Sequence, residues 1–225
     1  MIKSFLITLS FSTLLFSSQQ MLLVVADNFD SSTAKLSCFE GDKQVFKDIE
    51  VNLGKNGLGW GIGFKNIPHA TDEPIKHEGD KKAPAGIFKL TGSFGYASHN
   101  ISKLPYLYAD KNLICVDDSN SPFYNQIIEA NGNEKSFEHI RRKDNQYRYG
   151  VVVAHNSHAK PQKGSCIFIH IQKTKNHPTV GCTSMSQENL KRVIEWLDKS
   201  KNPILIQIPK KYKKEVVKLY PNLQE

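Results

Sequence analysis

Apolar positions along this chain recur mostly in short runs with a period of two. Runs at 21–25, 34–39 and 46–53 read as the opening strands. A glycine-rich turn at 54–61 follows; it has neither a GxGxxG nor a Walker Lys-Ser/Thr and is not a phosphate cradle. A charged turn at 76–80 and the step Pro84-Ala85-Gly86 lead into a strand at 87–90. Residues 113–116 form a short apolar strand with a polar loop, 117–125, behind it. A strand of Val and Tyr character spans 149–155. Over 166–171 the side chains alternate. Cys166, Phe168 and His170 share one face, and Ile167, Ile169 and Ile171 share the other.

One segment has a clear helical period, 187–199. Leu190, Val193, Ile194 and Leu197 form its apolar stripe, Ser186 precedes it as an N-cap, and Glu188 sits in the first turn. A last strand at 204–208 lies between two prolines, and a basic amphipathic tail covers 212–220. No repeat, low-complexity tract or linker interrupts the pattern. The expectation is a mainly β fold with a few helices, as one domain over 19–225.

The N-terminus adds a compartment. Lys3, an apolar run at 5–16 and the small residues Ser17 and Ser18 read as a secretory signal peptide over 1–18. The run falls short of the ~20 apolar residues a membrane span takes. Val24-Val25-Ala26 is a second cleavage candidate, but cleavage after Ser17 or Ser18 keeps 21–25 as a strand. An uncleaved anchor is the other reading. The expected location is the periplasm or cell envelope, with no stable membrane span after cleavage.

Composition is that of a globular protein: 39% of the 225 residues are hydrophobic and 23% charged. A net charge of +8 favours anionic partners, but the lysines are scattered and no basic groove with interleaved aromatics is evident, so nucleic acid is not expected. The cysteines are Cys38, Cys115, Cys166 and Cys182. If Cys182 stays reduced, at most one bridge forms among the other three; buried free thiols account equally well for Cys115 and Cys166.

The chemistry concentrates between His170 and Cys182. An imidazole ends an apolar strand, a polar loop follows, and Gly181-Cys182 leads towards the Ser186-capped helix. A thiol attacks as thiolate, and a nearby His or helix N-terminus favours that form. Gly181 permits a tight turn that aims its own N–H and that of Cys182 at an oxyanion. The layout points to acyl transfer with Cys182 as nucleophile and His170 as base. Zinc on His155, His158, His170, His177 and Cys182 is the weaker alternative, because HExxH and CxxC spacings are missing. No metal and no organic cofactor is expected.

Phe168-Ile169-His170 followed by Thr179-Val180-Gly181-Cys182 resembles the YkuD-type L,D-transpeptidase catalytic domain. Lys55 to Gly61, Glu78-Gly79-Asp80, Pro84 to Phe88, Cys115 to Asp118, Tyr124-Asn125 and Gly164 to Phe168 are similar to an exported branch of that family. The resemblance implies a β-rich sandwich or barrel and attack on the bond between the third residue and D-Ala of a peptidoglycan stem peptide. The acyl group then passes to an amine, building a crosslink. It gives Cys182, His170 and the Gly181 backbone the catalytic roles. Thr179, Thr183 and Ser184 are candidates for binding the stem peptide, with turn and capping roles as the other reading. His155, Asn156 and Tyr149 are candidates for lining the cleft. Glu78, Asp80, Asp117 and Asp118 read as turn residues. Val180 stands where many members have His, and Thr183 and Ser184 where many have Arg or Asn. These departures leave the acceptor open. With water in that role the protein is an L,D-carboxypeptidase; a non-catalytic wall-binding module is the rival from another class.

Overall fold

A computed structural model describes residues 18–223; the apolar run of the expected signal peptide lies outside them. The protein is mainly β, with 38% strand and 13% helix. The strands are β1 (Gln20–Ala26), β2 (Thr33–Glu40), β3 (Lys43–Asn52), β4 (Leu58–Trp60), β5 (Ala83–Gly95), β6 (Tyr106–Tyr108), β7 (Leu113–Val116), β8 (Ile127–Glu129), β9 (Phe137–His139), β10 (Tyr149–Val153), β11 (Phe168–Ile171), β12 (Thr183–Met185) and β13 (Ile204–Pro209). Helix α1 is Gln187–Trp196 and α2 is Lys213–Leu219.

The large sheet closes on itself. Its order is β10-β11-β12-β3-β2-β1-β13-β5, and β10 pairs again with β5. Strand β5 makes the closure because it is long: Ile87 faces Ile206 of β13, and further on Phe94 faces Gly150 of β10. Sequence periodicity captured only 87–90 of it. Ala83-Pro84-Ala85-Gly86 before it and Thr91-Gly92-Ser93 after it are small or polar and are drawn into the sheet by their neighbours rather than by intrinsic preference. Gly150 is required there, since a Cβ on it would stand 2.1 Å from the Phe94 ring. A second sheet, β8-β7-β9, lies apart from the barrel. The strands at 106–108, 127–129 and 137–139 are three residues each, too short for a period of two to show.

Two hydrophobic clusters follow from the alternation in β11. Ile167, Ile169 and Ile171 join the main core, which β1, β2, β5, β13 and the α1 stripe also fill. Phe168 and Cys166 join a smaller cluster with Phe94, Leu113, Cys115, Tyr147 and Cys182. The strand therefore reads as alternating yet is buried on both faces. In α1, Leu190, Val193, Ile194 and Leu197 are all essentially inaccessible. Burying one such side chain contributes about 1.5–3 kcal/mol. The helix starts as expected, with Ser186 Oγ accepting from the Asn189 N–H. It ends three residues before the expected 199, because Leu197 turns to extended backbone.

Cys115 and Cys166 form a disulfide with Cα atoms 6.0 Å apart, and Cys38 and Cys182 are free and buried. The bridge fastens β7 of the small sheet to the segment entering β11. It resolves the open choice among the cysteines: Cys115 and Cys166 form the one bridge, and the buried-thiol reading fails for both.

Candidate active site

Cys182 does not lead into a helix. It leads into β12, which runs parallel to β11 with Thr183 opposite Ile169 and Ser184 opposite His170. The thiol thus lies beside the start of β11. Its Sγ accepts from the Phe168 N–H at 3.3 Å and points at the Cys166 carbonyl at 3.5 Å. The side chain is 5% exposed. Burial pushes the thiol up to about 12; the Glu138 carboxylate adds to this, while the Phe168 N–H, the Tyr147 hydroxyl and the Lys76 charge pull it down. The sequence led us to expect a helix start favouring the thiolate. Instead the thiol rests protonated, because desolvation outweighs the groups that favour its anion.

His170 is buried as well, and burial lowers it to about 4. Its Nδ1 lies 2.8 Å from the Ile171 carbonyl. A carbonyl oxygen only accepts, so Nδ1 carries the proton and Nε2 is left bare as a potential proton acceptor. The pair at rest is therefore neutral thiol and neutral imidazole.

Two clefts meet at Cys182. The first, ≈ 210 Å³, is walled by Lys76, Glu78, Asp117, Glu138, Ser165 and Gly181. The second, ≈ 290 Å³, is walled by Arg142, Asp144, His170, Lys173, His177 and Thr179. Tyr147, Glu138 and Val180 line both, as Cys182 does. Tyr147 packs edge-on against the His170 ring, with centroids 5.1 Å apart, and donates from its hydroxyl to Glu138 Oε2. Val180 is 77% exposed and forms the rim between the two openings.

The remaining expected residues divide. Gly181 has φ +147°, a backbone state that L side chains rarely adopt, which explains the glycine. Thr179 holds this turn: its Oγ1 accepts from the Gly181 N–H at 3.0 Å and donates to the Cys182 carbonyl at 2.6 Å. The Gly181 N–H is thus engaged, contrary to its expected place in an oxyanion hole. Thr183 and Ser184 are buried, bonded to Gln207 and Asn52 respectively, and line neither cleft. His155 accepts at Nδ1 from the Ile62 N–H, and its Nε2 donates to the Lys163 carbonyl. Asn156 clamps the loop 160–164 through Lys160 and Gly164. Tyr149 packs on the main core. None of these last three lines the two clefts. Among the described residues no group of three or more His, Cys, Asp or Glu side chains is placed to hold a metal. Both ring nitrogens of His155 are engaged by backbone.

Sequence reading missed Glu138, Tyr147 and Lys76. Glu138 and Tyr147 lie in a polar stretch with no catalytic spacing; the small sheet brings Glu138, on β9, to the clefts at Cys182, and the turn before β10 brings Tyr147. Lys76 belongs to the Lys76-to-Asp80 turn, whose density of charges was its one signal.

The family model described as YkuD, the L,D-transpeptidase catalytic domain, matches residues 24–206. No curated protein and no solved structure matches the chain. The match extends from β1 into β13 and encloses both clefts. The chain belongs to the YkuD family of L,D-transpeptidase catalytic domains.

Proposed function

We propose that the protein is an exported cysteine acyltransferase acting on peptidoglycan stem peptides. The observation that carries this reading is that Cys182 and His170 line one cleft, with His170 Nε2 left bare by the Nδ1–Ile171 bond. As Sγ attacks the carbonyl of the third stem residue, Nε2 takes the thiol proton. Collapse of the tetrahedral intermediate breaks the C–N bond to D-Ala, and the departing amine takes that proton from His170. A second amine then attacks the thioester, giving up a proton to Nε2 and releasing the thiol. Neutral partners suit this sequence, because an imidazolium would have no proton-accepting nitrogen. Arg142, Lys173 and His177 in the second cleft suit the terminal carboxylate of a tetrapeptide donor.

Export rests on the N-terminal pattern together with the position of β1. Cleavage near residue 18 leaves β1 whole between β2 and β13, whereas cleavage after Ala26 would remove it. Gln20 is buried and binds the Trp196 carbonyl and the Asp198 N–H, so even the first residue of that strand has structural partners. Among the described residues no helix is long and apolar enough to cross a membrane.

The test is incubation of the protein with tetrapeptide-bearing muropeptides and mass identification of products. Crosslinked dimers support the transpeptidase; free tripeptide supports the L,D-carboxypeptidase, in which water takes the place of the second amine. Absence of any product, with binding retained, would sink the catalytic reading in favour of a wall-binding module. Cys182→Ala removes turnover and any thioester adduct; activity retained in that variant overturns the thiol mechanism.

A further inference from the structure

Lys76 is a buried charge that the reaction above leaves without a role. It is 4% exposed. Its Nζ donates to Asp80 Oδ1 at 2.5 Å and to the His77 carbonyl at 2.7 Å. An ammonium has three N–H groups, and among the described residues the third has no acceptor. The side chain lines the first cleft beside Gly181 and Cys182. A Cβ built on Gly181 would stand 3.9 Å from Nζ, so the ammonium sits at the open side of that glycine.

The surroundings hold this charge in place. Asp80 is fixed by the His77 N–H on Oδ2 and the Lys82 N–H on Oδ1. The Lys76 stem lies in space that Gly164 leaves open: a Cβ on Gly164 would stand 3.0 Å from Lys76 Cε and 2.9 Å from His155 Nε2. His155, expected to touch substrate, instead forms part of the wall behind this lysine. Asp80 of the Glu78-Gly79-Asp80 element likewise acquires a purpose in steadying it, while Glu78 accepts from Tyr124 and Ser165.

The site is short of a donor. Attack by Cys182 puts a negative charge on the former carbonyl oxygen, and oriented N–H groups in a water-poor cleft stabilise such a charge. Thr179 has taken the Gly181 N–H, which leaves the Cys182 N–H from the expected pair. We propose that Lys76 is a catalytic residue whose third N–H binds the oxyanion formed when Cys182 attacks the substrate carbonyl. This rests on the acyl-transfer reading. The electron count is that of simple addition: the S–C bond forms, the C=O π pair moves to oxygen, and the thiol proton goes to His170. Lys76 stays protonated throughout. When the C=O re-forms and the C–N bond breaks, the oxygen becomes a weaker acceptor and its bond to Lys76 loosens.

The experiment compares two reagents for the same thiol. A carbapenem acylates through a tetrahedral oxyanion; iodoacetamide alkylates without one. Rates of both, read by intact mass, are taken for the wild type, Cys182→Ala, Lys76→Met, Lys76→Arg and the double variant Lys76→Met/Asp80→Asn. We expect Lys76→Met to slow carbapenem acylation by about 10²–10³-fold and alkylation by less than about threefold. Lys76→Arg retains part of the acylation rate. The double variant spares the fold an unpaired carboxylate and stays as slow as Lys76→Met, so it carries the test if the single variant does not fold. An unchanged acylation rate in Lys76→Met, an equal loss with both reagents, or recovery in the double variant overturns the proposal. A wild type that neither reagent modifies, or a Cys182→Ala protein acylated at the wild-type rate, overturns the thiol reading itself and is read separately.

Discussion

The Tyr147 hydroxyl donates to Glu138 Oε2 at 2.9 Å, and both side chains line both of the clefts that meet at Cys182. The pair bridges the two clefts above the sulfur. It has a measurable electrostatic consequence, because burial pushes the Glu138 carboxyl up to about 7 against the opposing pull of Tyr147 and Arg142.

A carboxyl raised in the fold favours the folded state while it is protonated. That contribution is complete below the unfolded value of 4.5 and is lost as pH rises through about 7. The wild type is therefore expected to lose stability between about pH 5 and pH 8, by at most about 3 kcal/mol. Glu138→Gln should flatten that loss. Melting temperature against pH for both proteins checks it, and an equal decline in the two would refute the assignment.

His170 carries the opposite sign. Its folded value, about 4, lies below the ordinary, unfolded imidazole value of 6.5. The stability it contributes is present above that unfolded value and is lost as pH falls through about 4. Protonation also blocks Nε2, so the acid limb of the acylation rate should have its midpoint near pH 4 rather than near 6.5. His170→Ala should slow acylation by about 10²–10⁴-fold. A midpoint near 6.5 would show an exposed or differently held imidazole.

Reduction of the Cys115–Cys166 bridge should reach the nucleophile. Cys166 supplies the carbonyl facing Cys182 Sγ, and its own N–H donates to Asn125 Oδ1. The loop closed by the bridge spans 51 residues. Loop-entropy arguments put its contribution at roughly 4 kcal/mol. Cys115→Ser/Cys166→Ser should melt well below the wild type and acylate more slowly. Titratable thiols in denaturant number two in the native protein, Cys38 and Cys182. Four thiols in unreduced protein would contradict the bridge.

Gly181→Ala tests the turn. The φ of +147° excludes most L residues, and a Cβ would come 3.2 Å from the Lys82 carbonyl. Loss of more than about 1 kcal/mol is expected. Acylation should fall much further than melting temperature, because the displaced backbone carries the nucleophile. Wild-type acylation in this variant would mean that the turn geometry is not needed.

Local chemistry made much of this legible beforehand. The β1, β2, β3, β10 and β13 runs and the α1 stripe are each long enough for their period to show, and the structure puts an element at each. The candidate set of Cys182, Gly181 and His170 could be singled out because Gly181-Cys182 follows His170 by only about a dozen residues of chain, and the structure places Cys182 and His170 on one cleft. Thr183, Ser184, His155 and Asn156 were less so, since polarity alone does not tell a substrate contact from a buried clamp. Each of them spends its hydrogen bonds on the protein's own backbone or side chains.

By itself the sequence determined much of the strand periodicity, the family and a candidate thiol and imidazole, all of which rest on residue type and near-neighbour spacing. Tertiary structure decided the rest. It paired Cys115 with Cys166, turned the expected helix start beside Cys182 into β12, and carried Glu138, Tyr147 and Lys76 to the sulfur from distant stretches of chain. It also set the protonation of the site, because desolvation depends on what packs around a group and not on what precedes it in the chain.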